Sequence, residues 1–468
     1  MKKVSVFLSS LVVSAMLLGA CQTSTPATAP TQAPSSTEAL PPTATALPTE
    51  TPAPTATVPP APTPAISGTI RVQTYDSSEF NLGKWQEAIA SFEAAYPNVN
   101  VEFKSVPQNS IETFMQEADA GGGADIVQVS DGDVSRIAQG GYFEPLDPYM
   151  SGEMGMQTLD PSVFFESVLT SGQYNGTTYV LPRDYNPVVF FYNKDLFDAA
   201  GLAYPTDDWT WDDLLTAAQA LTLRDGSGKV TQWGFTIRDG AGNPYWQRGL
   251  WAFIYQNGND MISADGTRVS GHLDSDETVQ AIQWYADLFT THKVTPTRDL
   301  MAASGSRDLF VDGKSAMQFT GFWELYGYTQ NTNISLGVAQ LPQGTQRGNS
   351  LTWRGFAMNS KSQNKDAAWI FLRWISADEG AKVFATAGLT PLKSIVEEWD
   401  WANDPNYGPV VADIPYLHPA PFTINPKYYS CVGFAFDDWL ADVYLKSGGD
   451  LQSQLTDMAA KADTCLGQ

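Results

Sequence analysis

The chain has 468 residues, with 27 Lys and Arg against 51 Asp and Glu and a formal charge of -24 at pH 7. An acid excess of this size excludes a nucleic-acid partner, because a phosphate-binding surface needs clustered Lys and Arg, and it fits a protein kept soluble outside the cell. His272, His292 and His418 are the only histidines, and none stands at metal-ligand spacing with another His, Cys or carboxylate, so neither a metal nor another cofactor is expected.

The N-terminus carries Lys2 and Lys3, an apolar stretch from Val4 to Leu18, and the small residues Gly19 and Ala20 before Cys21. This is the layout of a secretory signal peptide over residues 1–20, and the stretch is shorter than the roughly 20 residues of a membrane span. Leu18-Gly19-Ala20-Cys21 resembles the bacterial lipobox, which implies that Cys21 is acylated and becomes the mature N-terminus, anchored to the outer face of the cell membrane by lipid alone. From Cys21 to residue 66 the chain is almost all Thr, Pro, Ala and Ser. Such a tract cannot bury enough apolar surface to offset its ordering entropy, and its proline favours extended polyproline II. It reads as a disordered stalk.

The remaining stretch of about 400 residues holds enough Trp, Leu, Val and Phe for a large core and is too long for one typical domain, so two lobes are expected. Ile70, Val72 and Thr74 share one face of a strand, and Trp85, Ile89, Phe92 and Tyr96 recur at helical spacing until Pro97. Val99, Val101 and Phe103 mark a second strand, a helix from Ser110 runs to the glycines at 121–123, and "ADIVQVS" follows as a short buried strand. This order predicts an α/β fold with a mostly parallel sheet flanked by helices, in which ligands bind beyond the carboxyl ends of the strands. Thr210 with Asp213, and Ser376 with Glu379, read as capping boxes, and Ile282, Tyr285 and Phe289 line one face of a further helix.

No catalytic motif stands out. There is no G-x-S-x-G elbow and no Walker A loop, "AGGGAD" precedes a strand and so reads as a turn, and "DGD" at Asp131 to Asp133 lacks the later glutamate of a calcium loop. A pair of carboxylates set for glycoside hydrolysis is spatial and invisible in one sequence, so a surface-anchored glycoside hydrolase and a non-transport sugar-binding adhesin stand as the alternatives.

The segment "YVLPRDYNPVVFFYNKDLFDAAGLAYPTDDWTWDDLLTAAQALT", with "ADIVQVSDGDVSRIAQGGYFEPLDPYM", "LFVDGKSAMQFTGFWEL" and "GVAQLPQGTQRGNSLTWRGFAMNSKSQNKDAAWIFLRWIS", resembles the extracellular solute-binding protein family 1, the sugar-binding subunits of ABC importers. The resemblance implies no enzyme but a monomeric receptor with a two-lobed periplasmic-binding-protein fold of type II, which closes on a carbohydrate and delivers it to ABC permease subunits. Carried over, lobe one holds residues 67–185 and 350–376, and lobe two holds 186–349 and 377–468.

A sugar needs aromatic rings for its C–H faces and polar side chains for its hydroxyls. By position at strand ends the candidates are Tyr75, Asp76, Ser77, Asp131, Arg183, Asp184 and Tyr185, and the resemblance adds Trp323, Trp353 and Arg354, with Tyr245 and Trp246 as weaker additions. Trp85, Trp209, Trp284, Trp369 and Trp374 stand at helical spacing and read as core. With Cys21 assigned to lipid, Cys431 and Cys465 remain, either as one disulfide in an oxidising compartment or as two buried thiols.

Overall fold

The computed structural model describes residues 66–467 except 240, 241, 245 and 246. The signal-like segment, Cys21, the Thr/Pro tract, Tyr245 and Trp246 lie outside the described residues. The main elements, in chain order, begin with β1 (Gly68–Thr74), α1 (Glu79–Ala95), β2 (Val99–Ser105), α2 (Ser110–Asp119), β3 (Ile126–Ser130), β4 (Val180–Tyr185) and β5 (Val188–Asn193). They continue with α3 (Trp211–Leu221), β6 (Val230–Ile237), α4 (Gln247–Gln256), α5 (Asp276–Thr290), β7 (Ser315–Gly321), α6 (Leu325–Thr329) and β8 (Leu336–Ala339). The last are β9 (Trp353–Met358), α7 (Lys365–Ala377), α8 (Glu379–Ala385) and α9 (Leu451–Leu466). No helix among the described residues is long and apolar enough to cross a membrane.

Local chemistry accounts for several of these boundaries. Helix α1 starts at Ser78, whose side chain accepts from the Asn81 N–H, and buries Trp85, Ala88 and Phe92 along one stripe. The turn before β3 uses Gly121 and Gly123 at φ 77° and 89°, a region that favours glycine. Thr210 and Asp213 form a reciprocal capping box on α3. Ser376 and Glu379 do not form the expected second box. The buried face of α7 continues through Ile375 and Ser376 to the end of the helix at Ala377, and Asp378 stands before α8 instead.

The strands form two mixed sheets of five. The first has the order β2-β1-β3-β9-β4, and the second β8-β5-β7-β6 with the short edge strand Leu223–Arg224. In the first, β2, β1 and β3 are parallel and β9 runs antiparallel to both β3 and β4. In the second, β6 and β7 are parallel and β5 runs antiparallel to β7 and β8. Apart from the short edge strand Leu223–Arg224, which is antiparallel to β6, the reversed strands are those that arrive from the other sheet: β5 directly after β4, and β9 after the strands of the second sheet. Each starts at the edge where the sheets face one another and therefore runs back against its neighbours.

Two apolar cores form. The first gathers Ile70, Val72, Trp85, Phe92, Val129, Phe356 and Trp369 around the first sheet and extends to Val189, Phe191, Tyr328 and Val338 on one face of the second, whose other face holds the second core of Phe190, Trp251, Phe253, Tyr285 and Phe319. Ala381, Phe384, Leu389, Leu392 and Ile395 lie in the first core; Phe384 meets Trp85 of α1 edge-on at 5.1 Å and Leu389 bridges to Tyr185 of β4, so these residues pack with the first sheet. From Ala420 onward the chain's buried residues belong to the second core. Cys431 and Cys465 are joined by a disulfide, with Cα atoms 5.5 Å apart, which ties the turn Tyr429–Gly433 to α9.

Where the chain passes between sheets, one amide side chain clamps the backbone. Asn349 Oδ1 accepts from the Val188 N–H (3.2 Å), and its Nδ2 donates to the Val188 carbonyl (2.9 Å) and to Asp413 Oδ2 (3.0 Å). Gln340 Nε2 donates to Asp413 Oδ1 (3.0 Å), and among the described residues no ion pair reaches this buried carboxylate. Burial therefore raises Asp413 from the ordinary 3.8 to about 6, against the hydrogen bonds of Asn349 and Gln340. A carboxyl whose folded value lies above its unfolded value favours folding when protonated, and that contribution is lost as pH rises from about 4 through 6. The difference is worth roughly 3 kcal/mol. Asp413→Asn should flatten this part of the stability–pH curve in urea unfolding between about pH 4 and 7, and an unchanged slope would show that the carboxyl titrates normally.

Candidate functional site: a charge-paired cleft floor with an aromatic rim

The carboxyl ends of β1 and β4 and the start of β9 meet beneath the gap between the sheets. Arg354 stands opposite Asp184 and Trp353 opposite Tyr185 in the antiparallel register. Since successive strand residues point to opposite faces, Asp184 and Arg354 share one face, and Tyr185 and Trp353 share the other. The register shifts between Arg354 and Gly355, which leaves Arg183 as an extra residue on β4 outside the simple alternation. It joins the first face: Arg183 Nη1 donates to Asp76 Oδ2 (2.8 Å) and Arg183 Nε to Asp184 Oδ2 (2.7 Å). Arg354 Nε donates to Asp184 Oδ1 (3.0 Å) and its Nη1 approaches Asp76 Oδ1 (3.4 Å). The Trp85 indole N–H donates to Asp76 Oδ2 (3.0 Å), and Asn186 Nδ2 donates to Asp184 Oδ1 (2.8 Å).

Two carboxylates and two guanidiniums cancel within this network. Burial by itself would raise Asp76, but Arg183 and Arg354 outweigh it and hold the carboxyl at about 2. Asp184 is lowered against the same burial by the same two arginines. Arg183 also lies over the Phe384 ring, 5.0 Å from its centroid. Tyr75 is half-buried beside the network, and desolvation raises its hydroxyl. Neither aspartate has the raised pKa that a general acid requires.

A second ion pair bridges the sheets. Arg248 on α4 donates through Nη1 to Asp131 Oδ2 (3.0 Å) and through Nη2 to Asp131 Oδ1 (3.3 Å), at the end of β3. The same guanidinium donates to the Leu351 carbonyl (3.1 Å) and lies over the Phe422 ring (5.0 Å). Burial raises Asp131 despite the pull of Arg248.

Above the floor lies a pocket of about 190 Å³ lined by Phe80, Phe322, Trp323, Tyr326, Gly388 and Tyr407, among others. Trp323 follows directly on β7, and its ring folds back over Gly321, where a Cβ would stand 2.1–2.3 Å from ring atoms. Any other residue at 321 would push the indole out of this position. Trp323 keeps 39% of its surface exposed. At Gly388 the pocket wall adjoins Asp184, whose Cβ lies 3.5 Å from the position a Gly388 Cβ would take.

The structure thus gathers Asp76, Arg183, Asp184 and Arg354, with Tyr75 beside them, while Ser77 is exposed just past β1 and Asp131 belongs to the separate pair with Arg248. Trp353 is 1% exposed and Tyr185 fully buried, both packed in the first core on the face of the strand pair opposite Asp184 and Arg354. Trp246 lies outside the described residues. Of the tryptophans expected in the core, Trp85 and Trp369 are fully buried, and Trp209, Trp284 and Trp374 pack half-buried against the two cores. Sequence reasoning missed Arg248, Phe80 and Tyr326. Arg248 carries no local signal, and Phe80 and Tyr326 sit in the first turns of helices, where an aromatic reads as helix packing.

Two mixed α/β sheets flanked by helices and joined by crossing segments define the two-lobed fold of periplasmic sugar-binding proteins. Solved structures with this fold include an ABC substrate-binding protein from Listeria monocytogenes in complex with cycloalternan, with a TM-score of 0.71, 22% identity, and coverage of 86% of this chain and 99% of that one. A solute-binding protein from Thermotoga lettingae bound with alpha-D-tagatose gives 0.67, 21% identity, and coverage of 86% and 100%. Residues 81–382 match the bacterial extracellular solute-binding protein family, and the chain belongs to that family. A putative binding protein of Brucella abortus is 26% identical over 406 residues, 86% of this chain and 94% of the relative. The maltotriose-binding protein of Pyrococcus abyssi is 26% identical over 335 residues, 69% of this chain and 67% of the relative.

The floor network generates a stability test. Arg183→Met leaves Asp76 and Asp184 buried with only Arg354 between them, and breaking such a buried set costs about 3–5 kcal/mol at neutral pH. Lowered carboxyls contribute stability above their unfolded value and lose it as pH falls toward the folded one. The deficit of the variant, followed by thermal unfolding, should therefore shrink on acidification; a pH-independent deficit would assign the loss to packing instead.

Proposed function

We propose that this protein is an extracytoplasmic receptor that binds an uncharged carbohydrate between its lobes and delivers it to the permease subunits of an ABC importer. The observation that carries this reading is the exposed indole of Trp323, in a pocket whose wall at Gly388 adjoins Asp184 of a buried charge network that already cancels. An indole face accepts the C–H face of a sugar ring, and paired Asp and Arg side chains still offer acceptors and donors to hydroxyls without leaving a net charge for an anionic ligand to neutralise. Membership of the solute-binding family supports it, as do relatives named for maltotriose in Pyrococcus abyssi and for erythritol and L-threitol in Mycolicibacterium smegmatis. Asp76 and Asp184 are held ionised, so neither supplies the protonated carboxyl that glycoside hydrolysis needs, and family membership favours the receptor over the hydrolase.

The first 20 residues act as a lipoprotein signal peptide, Cys21 carries the lipid, and the Thr/Pro tract to residue 66 holds the lobes off the membrane. The lobes close on the ligand about the crossing segments near residues 185–188, 349–353 and 417–420.

A thermal-shift screen with neutral sugars and polyols tests the receptor reading, since a ligand at 100 times its dissociation constant adds about 2.7 kcal/mol to stability. At least one neutral sugar should raise the melting temperature, and Trp323→Ala should weaken that sugar about tenfold or more by calorimetry. No response to any neutral sugar or polyol would overturn the assignment. For the anchor, Cys21→Ala should release the protein from membranes while ligand binding persists; membrane retention of the processed variant would refute lipidation.

A further inference from the structure

Phe80 follows β1 of the first sheet, Tyr326 lies on α6 beside the second sheet, where the Tyr328 ring packs edge-on against Phe191 of β5 at 5.0 Å, and the two rings meet face to face across the rim, with centroids 5.1 Å apart and planes 19° from parallel. Neither ring serves the core of its own lobe. The buried stripe of α1 is Trp85, Ala88 and Phe92, and Phe80, in the first turn, is 41% exposed. The buried residues of α6 are Leu325 and Tyr328, and Tyr326 between them is 59% exposed. Both helices are fixed without the pair: Ser78 caps α1, and Tyr328 anchors α6 through its hydroxyl, which donates to Asp308 Oδ2 at 2.7 Å. Lys84, one turn along α1, lies 6.0 Å from the Phe80 centroid.

We propose that the Phe80–Tyr326 stack is an interlobe clasp that favours the closed form by itself, so that both are positioning residues for ligand capture rather than ligand contacts. The clasp rests on the receptor reading above only in that closure is what captures the ligand. The sign follows from the geometry. A contact between rings on two lobes exists only while the lobes are together, so its free energy enters the closed state alone and shifts the open–closed equilibrium by its full amount. Apparent affinity scales with the fraction of protein in the binding-competent state, so losing the stack weakens every ligand by the same factor. For one aromatic pair that factor is about 2- to 10-fold. A side chain that touches the ligand behaves differently, because its loss depends on which sugar is bound.

The test needs no ligand in its first arm. Distances between spin labels on the exposed faces of α1 and α5, measured in the ligand-free protein with the native disulfide intact, should show a closed population that falls about 2- to 10-fold relative to the open one in Phe80→Ala, in Tyr326→Ala and in the double variant alike. Phe80→Tyr, which keeps a ring at this position, should keep the wild-type distribution. Because both rings are largely solvent-facing, the single variants should keep the wild-type melting temperature, and a variant that melts early is replaced by Tyr326→Leu. In the second arm, calorimetry with maltotriose, erythritol and each neutral sugar that stabilises the wild type should give one common factor of loss. An unchanged distance distribution in both alanine variants, or a loss confined to one sugar, would overturn the clasp. If the wild type binds none of these probes, the receptor reading falls, and the ligand-free distances still decide the clasp.

Discussion

Everything that faces the cleft depends on how four buried charges are kept. Asp76, Arg183, Asp184 and Arg354 come from β1, the end of β4 and the start of β9, which are the first strand and two of the segments that cross between sheets. Taking a carboxylate out of water costs several kcal/mol unless a cation and hydrogen bonds replace the solvent. Here each carboxylate meets both arginines, and the indole of Trp85 and the amide of Asn186 occupy remaining lone pairs. The set is satisfied only when all three segments are in place, so the same interaction that builds the floor also fixes where the chain leaves the first sheet and returns to it.

That constraint shapes what the cleft can recognise. Arginines paired with internal carboxylates present no net positive charge to an anion, and carboxylates held ionised by them are not proton donors. In the proposed receptor, what remains toward the ligand is directional hydrogen bonding from a neutral surface, and an indole whose position depends on the missing Cβ of Gly321. The buried polar network supplies rigidity below, and the exposed rings supply apolar contact above. Asn349, which clamps Val188 and Asp413 at the crossing, extends the same logic away from the floor: polar side chains that stitch crossing backbone segments are buried, and aromatic side chains that meet across the rim stay wet.

The chain itself specified the elements with strong local periodicity. Ile70 and Val72, Trp85 and Phe92, and the alternation before the glycines at 121–123 were enough for the opening of the first sheet, because a face that must be buried imposes period 2 or 3.6 on the residues that make it. The capping box at Thr210 was legible for the same reason, since both partners lie within one turn. Ser376 with Glu379 has the same spacing but failed, because Ser376 lies on the buried stripe of a helix that continues past it, and packing overrides a local cap.

Long-range pairing lay beyond the sequence. The identities of Asp76, Arg183, Asp184 and Arg354 as polar residues at strand ends could be read from position and from family resemblance, but their bonding to one another spans up to 278 residues and depends on the reversed strand β9. The one-residue alternation that brings Arg354 to the floor sends Trp353 into the core, and a sequence cannot choose between those faces when both neighbours of the strand are unknown. Arg248 opposite Asp131, and Phe80 opposite Tyr326, are likewise products of how two lobes meet. Composition, periodicity and motif order determined what kind of protein this is; which side chains reach the cleft was decided by strand register and lobe contact, because both are set by partners distant in the chain.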